Sequence, residues 1–242
     1  MRVLLAALVV AGCSFDHGFE AQPDGGGSAI DPSIDAGVGS LSTCKRPDPA
    51  LRLCIELTDG TGADSSGLNM IVNENDVGTT TRGNDPAGAV YWQSDLDVAE
   101  HMMLDISQKI TFETHLYVAQ FPPPYTFFTF VRNEGQYHMS LDSQGKLRCW
   151  IGGSSTDTTI SRDAWHHIAC VYDGSKLKIY VDGSVAKCSD LTGPIPIGGT
   201  TGTRVVDNLT AFFDDVRIYA RDLSGADICT HADKTDCNSE CD

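Results

Sequence analysis

At 242 residues, with 33 acidic against 17 basic side chains and a formal net charge of −16, the chain is strongly anionic and long enough for one substantial core. Such a charge repels nucleic acid and anionic lipid surfaces, which excludes both as partners, while remaining compatible with divalent cations or with simple solubility. The nine cysteines include no Cys-x-x-Cys pair, which leaves a zinc knuckle or a thioredoxin-like site without support.

In chain order, Arg2 supplies a positive n-region, and Val3 to Ala11 form an apolar run too short to span a bilayer. The run ends in Val10-Ala11-Gly12-Cys13, which resembles the lipobox of bacterial lipoproteins. The resemblance implies a signal peptide over residues 1–12 and acylation of Cys13 as the first mature residue. Two or three acyl chains there would anchor the chain, since one alone holds only weakly. The same small residues also suit an ordinary secretory signal. Ser14 is non-acidic, and with the lipobox resemblance this implies a lipid-anchored place in the cell envelope, at the outer membrane or cell surface. Up to residue 43 the chain is Gly, Asp, Ser and Pro around Gly25-Gly26-Gly27-Ser28, a composition that predicts a flexible tether over 13–43. The other cysteines, Cys44, Cys54, Cys149, Cys170, Cys188, Cys229, Cys237 and Cys241, are even in number. In an oxidising compartment they predict disulfides of about 2–4 kcal/mol each, with on the order of 100 pairings open.

From Cys44 to Cys229 the dominant period is two. Ile110, Phe112, Leu116 and Val118 alternate with Thr111, Glu113 and His115, and Leu177, Ile179 and Val181 with Lys176, Lys178 and Tyr180. Tyr137, Met139 and Leu141 repeat the pattern, as do Leu147, Cys149 and Ile151. Turn signals punctuate the runs at Asp142-Ser143-Gln144-Gly145, Asp173-Gly174 and Asp182-Gly183. Only Leu223 to Ile228 has room for a short helix. Many short strands predict an all-β sandwich of two antiparallel sheets, followed by a cysteine-containing acidic tail over 230–242.

Trp165-His166-His167-Ile168-Ala169-Cys170-Val171-Tyr172-Asp173-Gly174, followed by Leu177-Lys178-Ile179-Tyr180-Val181-Asp182-Gly183, resembles the signature of laminin-G-like, concanavalin A-like jelly rolls. Asp59-Gly60 with Asp64-Ser65-Ser66-Gly67 is similar to the opening segment of that family, and Ile110-Thr111-Phe112-Glu113 to its next conserved strand. Ile197-Gly198-Gly199, Phe213-Asp214-Asp215-Val216-Arg217-Ile218-Tyr219 and Leu223-Ser224 resemble its closing strands. The resemblance covers about residues 50 to 229 and implies the fold, not a ligand, because lectins, glucanases and adhesion modules share it. Pentraxins are related, but their partner cysteine lies where this chain has Glu113. Cys149 is the expected mate of Cys170 instead, because the strand Leu147 to Ile151 leads by one loop into the strand Trp165 to Tyr172. The chain does not match the pentraxin calcium-ligand cluster. Cys229, Cys237 and Cys241 are expected to staple the tail, to Cys44 or Cys54.

Asp214 falls in phase with Phe212, Val216 and Ile218, which predicts a core-facing carboxylate needing a cation or several donors. The resemblance to jelly-roll glucanases implies a structural calcium ion there, with Asp59 and Asp64 contributing; a salt bridge or backbone hydrogen bonds would serve equally. Trp150 lies opposite the apolar phase of its strand beside Lys146 and Arg148, a pattern suited to stacking on a sugar ring or to packing. Phe121-Pro122-Pro123-Pro124-Tyr125 places aromatics on a stiff loop, rimming a site or capping the sandwich. Trp165, His166 and His167 read as structural, and the two histidines point to opposite strand faces.

Catalysis has little to stand on. The nearest approach to the paired carboxylates of jelly-roll glucanases is Asp95-Leu96-Asp97-Val98-Ala99-Glu100, expected near a strand end or loop. Neither Gly-x-Ser-x-Gly nor His-Glu-x-x-His occurs. The expected function is non-catalytic recognition of carbohydrate at the cell surface, with protein adhesion or a structural role as the alternative and a glycosidase third.

Overall fold

The computed structural model describes residues 44, 48–56, 62–74, 77–79, 89–92, 96–197, 202–207 and 210–241. Cys13, the signal peptide, the tether and Asp59 lie outside them. The alternating residues build two antiparallel sheets that face each other across one core. The first runs in the order β13 (Ser184–Asp190), β12 (Lys176–Val181), β11 (Trp165–Tyr172), β6 (Ile110–Tyr117), β15 (Thr210–Tyr219), β4 (Ala89–Trp92) and β3 (Val77–Thr79), with β1 (Leu51–Ile55) also paired to β15. The second runs β10 (Ser154–Thr159), β9 (Lys146–Ile151), β8 (Tyr137–Asp142), β7 (Phe127–Asn133), β14 (Thr203–Asp207), β5 (Leu96–Val98) and β2 (Val72–Glu74).

The apolar phase of the central strands points inward. Phe112, Leu116, Ile168, Ile179, Phe213 and Ile218 from the first sheet are buried against Phe130, Tyr137, Met139, Leu147, Ile151 and Val205 from the second. Phe112 meets Tyr137 at 5.3 Å between ring centroids and Phe130 meets Phe213 at 6.0 Å, so aromatic pairs bridge the layers. The disulfide Cys149–Cys170 joins β9 to β11 inside this core.

The outer faces of the two sheets differ, and that difference positions the site. On the first sheet Ala169, Val171, Tyr180 and Tyr219 are buried with Leu51, Cys54, Leu223 and Ile228 in a second apolar cluster. Its cover is α1 (Gly225–His231), which begins slightly later than the Leu223–Ile228 stretch suggested. Ser224 caps it: its Oγ accepts from Asp227 N at 3.1 Å, and Asp227 Oδ2 accepts from Ser224 N at 3.1 Å.

The tail is stapled, but not to Cys44 or Cys54, which pair with each other. Cys229 closes on Cys237 and Cys188 of β13 on Cys241, because the helix turns the tail toward β13, where Val185 N donates to Asn238 O at 2.7 Å. The second sheet carries no such cover among the described residues. On β9 the outward Lys146, Arg148 and Trp150 are half-buried and alternate with buried neighbours.

Candidate functional site

Strand register lines up one row of polar and aromatic side chains across the open face of the second sheet. Ser155 pairs with Trp150, Trp150 with His138, His138 with Arg132, Arg132 with Arg204, Arg204 with Asp97 and Asp97 with Asn73. Directly opposed residues share a sheet face, so these seven stand side by side. A bulge in β7 between Phe130 and Arg132, with Val131 at φ 47°, resets the phase so that Phe130 stays in the core while Arg132 faces out.

Trp150 is not a free platform. Its indole stacks on the His138 imidazole at 4.9 Å between centroids and 13° between planes. Burial, then the charge of Arg132, pushes the His138 pKa down to about 4, so the ring is neutral at physiological pH and stacks as an uncharged plane. Arg148 sits one register step along, its guanidinium 5.9 Å over the Phe127 ring. At the other end of the row a pocket of about 320 Å³ is lined by Asn73, Asp97, Glu100, Arg132, Glu134 and Arg204, among others. Arg132 Nη2 contacts Glu134 Oε2 at 2.5 Å, and Arg204 Nε donates to Asp97 Oδ1 at 3.0 Å. Asp97 is the middle residue of the three-residue β5 and Glu100 lies just past its end, close to the strand end expected, and both side chains line the pocket. Asp95 lies outside the described residues. The row and the pocket at its end offer an aromatic stack, guanidinium donors, carboxylate acceptors and one amide, the groups that engage sugar rings and hydroxyls.

Tyr125 does not join this row. It is fully exposed on the β6–β7 loop, at φ 67°. Asp214 is buried, but its phase is the reverse of that expected. A bulge between Asp214 and Arg217, with Asp215 at φ 53°, shifts β15 by one residue, so that Phe213 enters the core while Asp214 pairs with His115 on the outer face. Its Oδ1 accepts from Asp215 N at 2.9 Å.

Asp64 serves the backbone: its carboxylate accepts from Cys54 N, Ser66 N, Ser66 Oγ and Met70 N at 2.8–3.1 Å, and so locks the following loop to β1. Four donors fill the acceptor capacity of one carboxylate, and Asp64 does not fit a calcium ligand in this arrangement. Among the described residues no group of three or more His, Cys, Asp or Glu side chains is disposed to hold a metal ion.

One buried ion cluster has no counterpart in the sequence reading. Glu113, fully buried on β6, lies 2.7 Å from His231 Nδ1, 3.3 Å from Arg217 Nη1 and 3.4 Å from His167 Nε2. Arg217 Nη2 reaches Asp215 at 3.1 Å, and His115 Nδ1 lies 3.6 Å from the same carboxylate. Burial raises the Glu113 carboxyl, but His231 and His167 outweigh it and hold it well below the usual carboxylate range. The cluster is on the covered face, with His231 of α1 over it, and works as a structural hub.

A family model described as the concanavalin A-like lectin/glucanases superfamily matches residues 93–229. No curated protein matches the chain in sequence. Among solved structures, the binding domain of Paraclostridial Mosquitocidal Protein 1 is similar, with a TM-score of 0.61 at 16% identity over 76% of this chain and 52% of that one. A structure of botulinum neurotoxin type C, whose cell entry depends on two ganglioside molecules, gives 0.56 at 17% over 76% and 51%. The chain thus spans about half the length of these toxin structures. Domain 4 of AbnA, a GH43 extracellular arabinanase from Geobacillus stearothermophilus, in complex with arabinotriose, gives 0.59 at 18% over 75% of this chain and 98% of that domain.

Proposed function

Because the chain belongs to the concanavalin A-like lectin/glucanases superfamily, we propose that it is a non-catalytic carbohydrate-binding module whose ligand lies across the open face of the second sheet. The observation that carries this reading is the in-register row from Ser155 through Trp150, His138, Arg132, Arg204 and Asp97 to Asn73. It combines an aromatic surface with paired donors and acceptors on a face that no other described element covers, while the opposite sheet is closed by α1. The arabinanase domain, of the same fold and with arabinotriose bound, supports a sugar ligand. Asp97 and Glu134 are each engaged by an arginine, an arrangement suited to holding hydroxyls more than to the acid and nucleophile of glycoside hydrolysis.

The test is a broad glycan array probed with the oxidised full chain, first with calcium and then with chelator. Trp150→Ala is expected to weaken specific hits about tenfold or more, through loss of the stacked pair. Hits lost in chelator add a metal requirement. A blank array from folded protein refutes the reading and moves it to protein adhesion, and hydrolysis that disappears in Glu100→Gln moves it to a glycosidase.

A further inference from the structure

A second concavity lies at the end of the sandwich where the β6–β7, β8–β9 and β10–β11 connections meet. It is an open basin of about 800 Å³ whose lining includes Phe121, Tyr125, Arg162, Gln120, Gln144 and Ser143. The β8–β9 turn lies at the opposite end of β9 from Trp150, and the four steps along the strand from Lys146 to Trp150 separate the two places by about 13 Å.

The basin is built by its backbone. The triple proline stiffens the loop, Thr126 N and Oγ1 both donate to Pro123 O, and Tyr125 is held in the left-handed region with its ring fully in solvent. Phe121 packs against the core and lies over Gly145, at φ 76°, where a β-carbon would strike the ring. Arg162 stacks on Phe121 with its guanidinium 5.6 Å from the ring centroid. A guanidinium held over a ring still carries five N–H donors, which the ring does not consume. No ion pair or hydrogen bond among the described residues engages them.

Charge decides what such a basin takes. In a chain of net charge −16, its lining holds one arginine, two amides, hydroxyl groups and no carboxylate. Asp142, just before the Ser143-Gln144 turn, commits its Oδ1 to the backbone N–H of Gln144 and Lys146. Asp163 follows Arg162 without lining the basin. A guanidinium with its N–H donors uncommitted matches a carboxylate through two parallel N–H donations, and a flat exposed phenol matches the apolar face of a sugar ring.

The geometry points to a second ligand site for a carboxylate-bearing sugar, with Arg162 taking the carboxylate, Tyr125 stacking on the ring, and Gln120, Gln144 and Ser143 meeting hydroxyls. This site is separate from the sheet-face row, and its fate does not decide that of the row.

The experiment titrates the oxidised full chain with 3′-sialyllactose, with a glucuronate-terminated trisaccharide and with lactose, by calorimetry and amide NMR shifts. At least one acidic sugar is expected to bind, with Arg162→Gln and Tyr125→Ala each weakening it by about tenfold or more. Trp150→Ala should leave that binding unchanged, and shifts should centre on residues 120–125, 143–144 and 162. Which of the two acidic sugars binds distinguishes a sialic acid from a uronic acid. Unaltered melting and unchanged sheet-face glycan binding show that the Arg162 and Tyr125 variants are folded. Absence of acidic-sugar binding, equal affinity in Arg162→Gln, or loss only in Trp150→Ala overturns the assignment.

Discussion

Replacing Glu113 by glutamine removes one charge from the hub beneath α1 and keeps its shape. Glu113 and Arg217 are both buried, so the arginine loses a carboxylate 3.3 Å away in a place where water cannot replace it. Breaking a buried pair by removing one partner costs about 3–5 kcal/mol, and Arg217 keeps Asp215 at 3.1 Å, which places the expected loss near the lower end, about 3 kcal/mol. The pH dependence follows from the depressed carboxyl of Glu113. A folded-state value below the unfolded 4.5 means that its contribution is complete above that value and is lost as the pH falls through the lower folded one. Urea unfolding of the wild type and Glu113→Gln should therefore differ at neutral pH and still at about pH 5, the carboxylate's contribution being lost only in stronger acid. Hydrogen exchange should show α1 protecting its amides less in the variant, because His231 faces a neutral amide in place of the carboxylate 2.7 Å away. A gap under about 1 kcal/mol at neutral pH, or one that closes by about pH 6, would refute the hub.

Two further substitutions test the scaffold. Changing Cys149 and Cys170 together to alanine opens a link of sequence separation 21 between the sheets and is expected to cost about 3 kcal/mol, read from urea unfolding with midpoint and m-value fitted together, because the unfolded chain expands when the link is lost. Asp64→Ala should cost about 2–3 kcal/mol, since the backbone donors of Cys54, Ser66 and Met70 lose their shared acceptor; a shift no larger than that of an exposed control aspartate would show that water replaces it.

The inward phase of the long strands was legible because it depends only on alternation: Phe112 on β6, Met139 on β8 and Ile179 on β12 enter the core as their spacing predicts. The family signature around Trp165 extended that to the sheet arrangement. Asp214 escaped the pattern because the bulge that reverses its phase sits on an aspartate, Asp215, with no glycine to mark it. Glu113 and Arg217 fall opposite the apolar phase of their strands, and nothing local reveals that α1 closes over them. Trp150 was legible as an outward aromatic, yet its stacking partner His138 and the arginines beside it come from strands whose neighbours are set by tertiary register. Arg162 carries no motif at all; its role depends on Phe121, forty-one residues earlier, offering a ring beneath it.

The tail disulfide Cys188–Cys241 has a consequence for how molecules of this chain meet one another. β13 is the terminal strand of its sheet, and an uncovered terminal strand is a template on which a second chain can extend the sheet. The segment drawn over it, with Asn238 O accepting from Val185 N, occupies part of that template with the chain's own backbone. The staple thus keeps that piece of tail on the edge: while Cys188 and Cys241 are joined, the segment that covers the terminal strand cannot drift away from it.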